Sequence, residues 1–332
     1  MASKKKTTDR AVMPPSLRAG FRAADALSPA LAARLAEPLF LRTRRYPAPA
    51  REVAALQGAE RHELPTARGL AVAWVWGRPA PAASFVPTAF LVHGWEGRGS
   101  QLGAFVEPLR GAGFRVVAFD APGHGEAPGR SSSLPAIAAA LEAAADRWSP
   151  PAAVVAHSAG AVSATFALAR GHEVERAVFV APGADLLGYT AWFARLLGVG
   201  ERACRRLTER IERRIGVPYA ELEPLELAPA MTVPLLAFTD RDDPEAPLAT
   251  AETLIGSWPG AELRVTEGLG HRRILWDSTV VRAAVDFLAG ASGRSLGDAP
   301  PEERTDGLPP VDPAELEPPG DDLRRARAGA RR

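Results

Sequence analysis

Short apolar runs, rich in β-branched and aromatic residues, recur through the middle of the chain and alternate with more polar segments. These runs occupy residues 70–76, 88–93, 114–120, 152–157, 176–181, 234–239 and 262–267. Runs this apolar are expected of strands buried on both faces, and the intervening segments at 100–112, 134–148 and 159–170 favour helices. The alternation predicts an α/β fold: a mainly parallel, doubly wound sheet of about eight strands flanked by helices.

The two ends of the chain differ from this central part. Residues 1–13 are polar and basic without any period, and residues 289–332 combine Ser, Gly, Pro and Asp with a final run of arginines. Both ends are predicted to be disordered. Residues 14–60 carry leucines at helical spacing and are predicted to form an N-terminal helical segment. The remaining residues, 61–288, are predicted to form one α/β domain.

An interval of about fifty residues between two predicted strands breaks the alternation. Aromatic and aliphatic residues recur in it at helical spacing, among many arginines. Two interpretations of the interval at about 186–232 stay open. It is either an ordinary pair of packing helices or a small helical lid inserted over the carboxyl ends of the strands, where this architecture binds ligands.

Charge and composition bear on the partners and the compartment of the protein. With 40 basic and 39 acidic residues the net charge is +1, which gives no long-range attraction to nucleic acid or to an anionic membrane. Cys204 is the only cysteine, so no intramolecular disulfide can form. The sequence shows no signal-peptide pattern and no apolar run long enough for a membrane span. We therefore expect a cytoplasmic protein, and the sequence does not indicate its oligomeric state.

The strongest chemical signal lies between a predicted strand and a helix of small residues, in the sequence Ala156-His157-Ser158-Ala159-Gly160. A serine on a sharp strand-to-helix turn is exposed at the strand end, and its neighbours must be small to avoid clashes. The common pattern is G-x-S-x-G, and here Ala156 replaces the first glycine. Ser158 is the candidate nucleophile, and we assign structural roles beside it to His157 and Gly160.

A second turn, His93-Gly94-Trp95, ends another predicted strand. A tetrahedral intermediate needs two backbone N–H donors aimed at its oxyanion, and a glycine lets the chain approach closely enough to supply one. The N–H groups of Trp95 and Ala159 are the candidates for this oxyanion hole. We interpret Gly94 as the residue that permits the approach and His93 as a hydrogen-bonded core histidine.

A third turn, with the sequence D-A-P-G-H-G at 120–125, also follows a predicted strand and is assigned no catalytic role. The three motifs, in this order and after successive strands, resemble those of the α/β-hydrolase superfamily. The resemblance spans about residues 61–288, so it includes the interval interpreted as a lid. It implies an acid after a later strand and a histidine after the last one.

Both of these implied residues have candidates in the sequence. The acid of the superfamily usually lies four residues before a proline, and counting back from Pro247 gives Asp243, with Asp240 as the alternative. His271 is the only histidine after these acids, and glycines on its N-terminal side allow its loop to lean toward Ser158. The resulting order Ser, Asp, His matches the superfamily.

These residues predict a serine hydrolase that cleaves carboxylic esters of small or medium apolar substrates through an acyl-enzyme intermediate. Its partner would be a small ester-like molecule, and we expect neither a metal nor an organic cofactor. The strand-to-helix turn that carries Ser158 is called the nucleophile elbow in this superfamily. Haloalkane dehalogenases and epoxide hydrolases of this fold carry Asp at the elbow in place of the serine, so Ser158 argues against both. Two alternatives stay open: a thioesterase or other acyl hydrolase with the same triad, and a non-catalytic binding protein of this fold.

Overall fold

The computed structural model describes residues 13–77 and 86–290. Residues 1–12 and 291–332, which make up most of the two ends predicted to be disordered, lie outside the described residues. The chain divides into two compact units. We call residues 13–42 together with 185–220 the helical unit, and the remaining described residues the sheet unit.

One sheet of eight strands forms the centre of the sheet unit. The strands are β1 (Glu60–Thr66), β2 (Gly69–Trp76), β3 (Thr88–Val92), β4 (Arg115–Asp120), β5 (Pro151–His157), β6 (Arg176–Val180), β7 (Leu235–Asp240) and β8 (Glu262–Thr266). Their order in the sheet is β1-β2-β4-β3-β5-β6-β7-β8. The pairs β1–β2 and β2–β4 are antiparallel, and every later pair is parallel. The predicted mainly parallel sheet is thus confirmed.

Strand β1 is the strand that the apolar runs did not predict. Its sequence, ERHELPT, is polar, and only Leu64 in it is buried. It lies at the edge of the sheet and pairs with β2 alone. The missing N–H of Pro65 therefore costs the sheet little stability, and the strand does not need an apolar face. This edge position explains why the sequence of β1 contains no apolar run.

Helices cover both faces of the sheet. The helices of the described chain are α1 (Pro15–Leu27), α2 (Pro29–Phe40), α3 (Ala50–Ala55), α4 (Val106–Gly111), α5 (Leu134–Arg147), α6 (Ala159–Ala169), α7 (Leu186–Leu197), α8 (Glu201–Ile215), α9 (Pro224–Leu227), α10 (Leu248–Ser257), α11 (Gly270–Arg273) and α12 (Ser278–Ala289). Helices α4 and α12 share a core with Val155 and Val180, whereas α5 and α6 pack on the sheet separately from that core. The neighbouring Val154 and Ala156 are also buried, which explains the unbroken apolar runs.

The parallel order brings the candidate motifs to one edge of the sheet. Strands β3, β5, β7 and β8 run in the same direction, so the turns that follow them lie at their shared carboxyl ends. Open α/β sheets bind their ligands at this edge. The turn after β3, the elbow after β5 and the loops after β7 and β8 therefore form one candidate site.

The helical unit joins two segments that are far apart in the sequence. Helix α1 packs on α2 and α7, and α2 packs on α8. The rings of Phe40 and Phe193 meet edge to face, with centroids 5.2 Å apart, and Arg210 of α8 pairs with Glu37 of α2 at 2.6 Å. The first part of the interval at 186–232 therefore packs with the N-terminal helices. The domain boundaries predicted at 14–60 and 186–232 stay predictions.

Candidate active site

Ser158 lies on a strained turn between β5 and α6. Its φ of 53° and ψ of −123° are rarely adopted by a residue with a side chain. The turn is held from β6, because the Ser158 N–H donates to the Val180 carbonyl at 3.1 Å and the Gly183 N–H donates to the Ser158 carbonyl at 3.2 Å. Strain of this kind persists only where the surroundings fix it. The hydrogen bonds to Val180 and from Gly183 supply that constraint at Ser158.

Two glycines allow the backbone to crowd around this serine. A Cβ added at Gly160 would lie 2.5 Å from the His93 carbonyl oxygen, a contact that backbone atoms cannot relieve. A Cβ added at Gly94 would lie 2.9 Å from the Cβ of Ser158. The turn after β3 and the start of α6 thus touch each other beside Ser158, and a side chain at either glycine would block this approach.

A chain of two hydrogen bonds links the serine to a histidine and an acid. His271 Nε2 lies 3.0 Å from Ser158 Oγ, and His271 Nδ1 lies 2.7 Å from Asp243 Oδ2. The side chain of Asp243 is fully buried and that of His271 is 8% exposed. Because an ionised carboxylate only accepts hydrogen bonds, Nδ1 of His271 donates to Asp243, which leaves Nε2 as a hydrogen-bond acceptor toward the Ser158 hydroxyl.

Hydrogen bonds distinguish the two candidate acids, Asp243 and Asp240. The other oxygen of Asp243, Oδ1, accepts the N–H groups of Glu245 at 2.8 Å and Ala246 at 3.1 Å, which orients the carboxylate. Asp240, by contrast, has its Oδ2 occupied by the Thr266 hydroxyl and the Leu269 N–H, both at 2.9 Å. The structure brings Asp243 to His271 and uses Asp240 to hold the loop that leads there.

The pKa of Asp240 reflects this holding role. Burial alone would raise the pKa of its carboxyl, but hydrogen bonds from the Leu269 N–H and the Thr266 hydroxyl outweigh burial and lower the pKa below its ordinary value. Asp240 therefore stabilises the start of the His271 loop in its charged form.

The histidine before the nucleophile also contacts this loop. His157 Nε2 lies 2.9 Å from the backbone carbonyl oxygen of His271, and since a carbonyl only accepts, His157 must donate there. The two imidazole rings have centroids 4.7 Å apart. The sequence predicted a structural role for His157, but gave no signal that its partner would be the His271 loop 114 residues away.

The candidate oxyanion donors belong to two different elements that meet at Ser158. Ala159 is the first residue of α6, where a backbone N–H has no partner within the helix. Trp95 lies in the turn after β3, which closes with a hydrogen bond of 3.0 Å from the Gly97 N–H to the Gly94 carbonyl. His93 fixes the base of this turn, because its Nδ1 lies 2.7 Å from the Gly94 carbonyl and its Nε2 accepts the Ala121 N–H at 3.0 Å.

Two charged residues near His271 were not identified from the sequence. Glu245 Oε2 lies 4.0 Å from His271 Nε2, and Arg272 reaches Glu245 Oε1 at 3.6 Å. Both side chains are about half exposed, at 52% for Glu245 and 44% for Arg272. Exposed charged residues carry no apolar period, so only their position two residues after Asp243 and one after His271 could have drawn attention to them.

Burial of three histidines near the site predicts loss of stability in acid. Burial lowers the pKa of His93, His124 and His157, in the case of His124 to about 2. Unfolded histidine has a pKa of about 6.5, so below that pH the unfolded chain takes up protons that the native protein does not. A histidine whose native pKa lies well below the unfolded value should then cost on the order of 1 kcal/mol of unfolding free energy per pH unit, and His124 and His157, whose pKa is lowered most, should contribute most of the slope.

Urea unfolding between about pH 7.5 and 5 tests this slope. His124→Gln should reduce the slope by on the order of 1 kcal/mol per pH unit, because one buried imidazole is lost. His172→Gln, at a position where the side chain is 34% exposed, is the control and should leave the part of the slope that comes from the buried histidines in place. An unfolding free energy that is constant over this pH range would contradict the prediction.

Two structural features are absent from the described residues, 13–77 and 86–290. They contain no group of three or more His, Cys, Asp or Glu side chains arranged to hold a metal ion. None of their helices combines the length and the apolar character needed to cross a membrane.

The sequence of the chain matches one known protein family. Residues 89–287, more than half of the chain, match the model of the alpha/beta hydrolase family. Among curated proteins, none matches the chain significantly.

Solved structures of similar fold include three esterases. Est1E from Butyrivibrio proteoclasticus, solved with ferulic acid bound, has a TM-score of 0.56 and 16% identity over 69% of this chain and 98% of its own. The carboxylesterase CesB from Bacillus subtilis has a TM-score of 0.52 and 17% identity over 79% and 99%. A thermophilic esterase from Thermogutta terrifontis has a TM-score of 0.50 and 17% identity over 70% and 99%. At these identities the likeness establishes the fold, which agrees with the predicted α/β-hydrolase architecture.

Proposed function

Because the chain belongs to the alpha/beta hydrolase family, we propose that it is a serine hydrolase with Ser158, His271 and Asp243 as its catalytic triad. The observation that carries the proposal is the continuous hydrogen-bond chain from Ser158 Oγ through His271 to Asp243, with distances of 3.0 and 2.7 Å. Nucleophile, base and orienting acid are the three roles that acyl transfer by a serine requires.

The first half of the reaction acylates the enzyme. His271 Nε2 accepts the Ser158 proton as Oγ attacks the ester carbonyl, and Asp243 holds the imidazole in the required tautomer and stabilises the imidazolium. The imidazolium then gives its proton to the departing alcohol, which leaves the acyl group on Ser158. The second half repeats these steps with water as the nucleophile and releases the carboxylic acid.

The Trp95 and Ala159 N–H groups stabilise the oxyanion that forms in both halves. Each such donor is worth about 2.7–4 kcal/mol of transition-state stabilisation. Their assignment is supported by the close approach of the two turns at Gly94 and Ser158. No step calls for a metal or an organic cofactor, because the proton acceptor, the nucleophile and the oxyanion donors all come from the chain.

The substrate class we propose is carboxylic esters of small or medium apolar groups. It is supported by the esterases among proteins of the same fold, one of them solved with ferulic acid bound. A thioesterase or other acyl hydrolase with the same triad is the alternative, since the same nucleophile, base and oxyanion donors serve whether the group that leaves the acyl carbonyl is an alcohol or a thiol.

A fluorophosphonate probe combined with p-nitrophenyl esters from acetate to decanoate tests the proposal. We expect labelling of about one site per chain, and hydrolysis that is fastest for short or medium acyl groups. A labelled protein that hydrolyses thioesters of the same acyl groups faster than the oxygen esters would favour the alternative. A folded protein that is neither labelled nor active would contradict the serine hydrolase and favour a non-catalytic binding protein.

A further inference from the structure

The turn that carries Trp95 contains an unusual residue. Glu96, which directly follows Trp95, has a φ of 57° although it is not glycine. A left-handed conformation of this kind is unfavourable for a residue with a side chain, so it persists only where other contacts stabilise it. The position of the Trp95 N–H therefore depends on what holds Glu96.

Arg44 makes those contacts. Its backbone N–H donates to Glu96 Oε1 at 3.2 Å, and its side-chain Nε lies 3.0 Å from Oε1 and 3.3 Å from Oε2. The Glu96 side chain is only 18% exposed, although that of Arg44 is 66% exposed. The contact therefore differs from an ordinary surface ion pair, because one residue supplies two donors to a largely buried carboxylate.

The segment 43–52, which we call the N-terminal strap, fixes the same turn from a second point. Arg98 Nε pairs with Glu52 Oε2 at 2.7 Å, and Arg98 also donates to the carbonyl oxygens of Tyr46 and Pro47. Burial raises the pKa of the Glu52 carboxyl, and the nearby Arg98 guanidinium opposes that rise. The strap and the turn are thus joined by two separate ion pairs on either side of Gly97.

The other end of the strap is attached to the loop after β4. Thr43 donates its hydroxyl to the Gly123 carbonyl at 2.7 Å, and its N–H donates to the Arg130 carbonyl at 3.1 Å. Arg45 donates to the carbonyl oxygens of Ala127 and Gly129. These bonds anchor the strap on both sides of Arg44. The strap also lies outside residues 89–287, the part of the chain that matches the family model.

We propose that Arg44 is a positioning residue for the reaction: through Glu96 it holds the turn that presents the Trp95 N–H to the oxyanion. The inference rests on the proposed function, because it needs Trp95 to act as an oxyanion donor. It adds to that function a dependence of turnover on a residue that acts through Glu96.

Arg44→Ala should lower kcat for a p-nitrophenyl ester by about 10- to 100-fold while KM stays within about twofold. Removing an oxyanion donor altogether costs about 10²- to 10³-fold, and displacing one by about 1 Å costs up to about 10²-fold. Arg44→Ala keeps the backbone N–H bond to Glu96, so Glu96→Ala, which removes all three bonds, should have the larger effect. The double variant should then match Glu96→Ala alone, because both changes break one interaction.

A thionoester, in which sulfur replaces the carbonyl oxygen, distinguishes positioning from general damage. Sulfur accepts hydrogen bonds weakly, so its hydrolysis depends less on the oxyanion donors. The ratio of ester to thionoester turnover should fall in Arg44→Ala by about the factor lost in ester kcat. Arg110→Ala, which breaks an exposed ion pair with Glu107 on α4, is the matched control and should leave both rates unchanged. Active enzyme is counted by the endpoint of fluorophosphonate labelling.

Three outcomes decide the inference. A selective loss of ester turnover in Arg44→Ala, partly restored in Arg44→Lys, supports it. An active wild type whose Arg44→Ala and Glu96→Ala variants keep their ester kcat, or lose ester and thionoester turnover equally, would overturn the inference and leave the proposed function intact. A wild type that is neither labelled nor active overturns both.

Discussion

Ser158→Ala should lower kcat/KM for short-chain p-nitrophenyl esters by about 10⁴- to 10⁶-fold and abolish labelling by a fluorophosphonate. The nucleophile is lost, so no acyl-enzyme forms, and the remaining rate comes from the oxyanion donors and substrate binding alone. The variant should stay folded, because alanine keeps the Cβ at the elbow and removes one half-buried hydroxyl whose contact is His271.

The control for this variant is Ser257→Ala. Ser257 ends α10, and its hydroxyl donates to the Thr253 carbonyl at 2.9 Å in an exposed position. Its loss should leave turnover and labelling unchanged. If Ser158→Ala kept more than about a hundredth of the wild-type activity, the activity would come from another residue or another protein in the preparation.

Asp243→Asn should lower kcat by about 10³- to 10⁴-fold with little change in thermal stability. An asparagine has nearly the same shape, but it cannot hold the His271 proton on Nδ1 as the carboxylate does, so the wrong tautomer faces Ser158. Its amide oxygen can still accept the N–H groups of Glu245 and Ala246, which preserves the turn. The measurement is kcat beside the melting temperature of the same preparation.

Asp240→Asn should have the opposite effect from Asp243→Asn: a clear loss of stability with a small loss of kcat. Asp240 accepts three hydrogen bonds through both of its oxygens, from Asp242, Thr266 and Leu269, and an amide can satisfy only part of this set. We expect a loss of about 1–3 kcal/mol of unfolding free energy, since buried donors are left without an acceptor. The kcat per labelled molecule should fall by less than about tenfold, far less than in Asp243→Asn.

The comparison is decisive because the two variants make the same chemical change three residues apart. A larger loss of kcat in Asp240→Asn than in Asp243→Asn, at equal melting temperatures, would make Asp240 the triad acid. Equal losses in both would mean that the loop, and not one carboxylate, governs the position of His271.

Much of the fold and part of the site could be predicted from local sequence. Strands β3 to β7 were predictable because each is buried on both faces, which requires an unbroken apolar run. The elbow was predictable for a similar reason: a serine with a φ of 53° between strand and helix requires small neighbours, and these appear within five residues. Strand β1 was not predictable in this way, because an exposed edge strand needs no apolar face.

Several contacts could be known only from the tertiary structure, because they join residues that are distant in the sequence. Three carboxylates lie between residues 240 and 243, and their spacing alone does not say which one reaches His271. The path of the loop after β7 decides which carboxylate does so. Asp240 accepts hydrogen bonds from the Thr266 hydroxyl and the Leu269 N–H, whereas Asp243 faces His271. The partner of His157 is likewise set by how β5 and the loop after β8 meet.

The layered α/β fold, the order of the motifs and the residue types of the site follow from local sequence, because burial and tight turns constrain residues within a few positions. Tertiary packing is needed to know which acid meets the histidine and that Arg44 bonds to Glu96. It is also needed to know that residues 13–42 pack with 185–220. Each of these depends on directions of loops and faces of helices, which side-chain patterns along one segment do not encode.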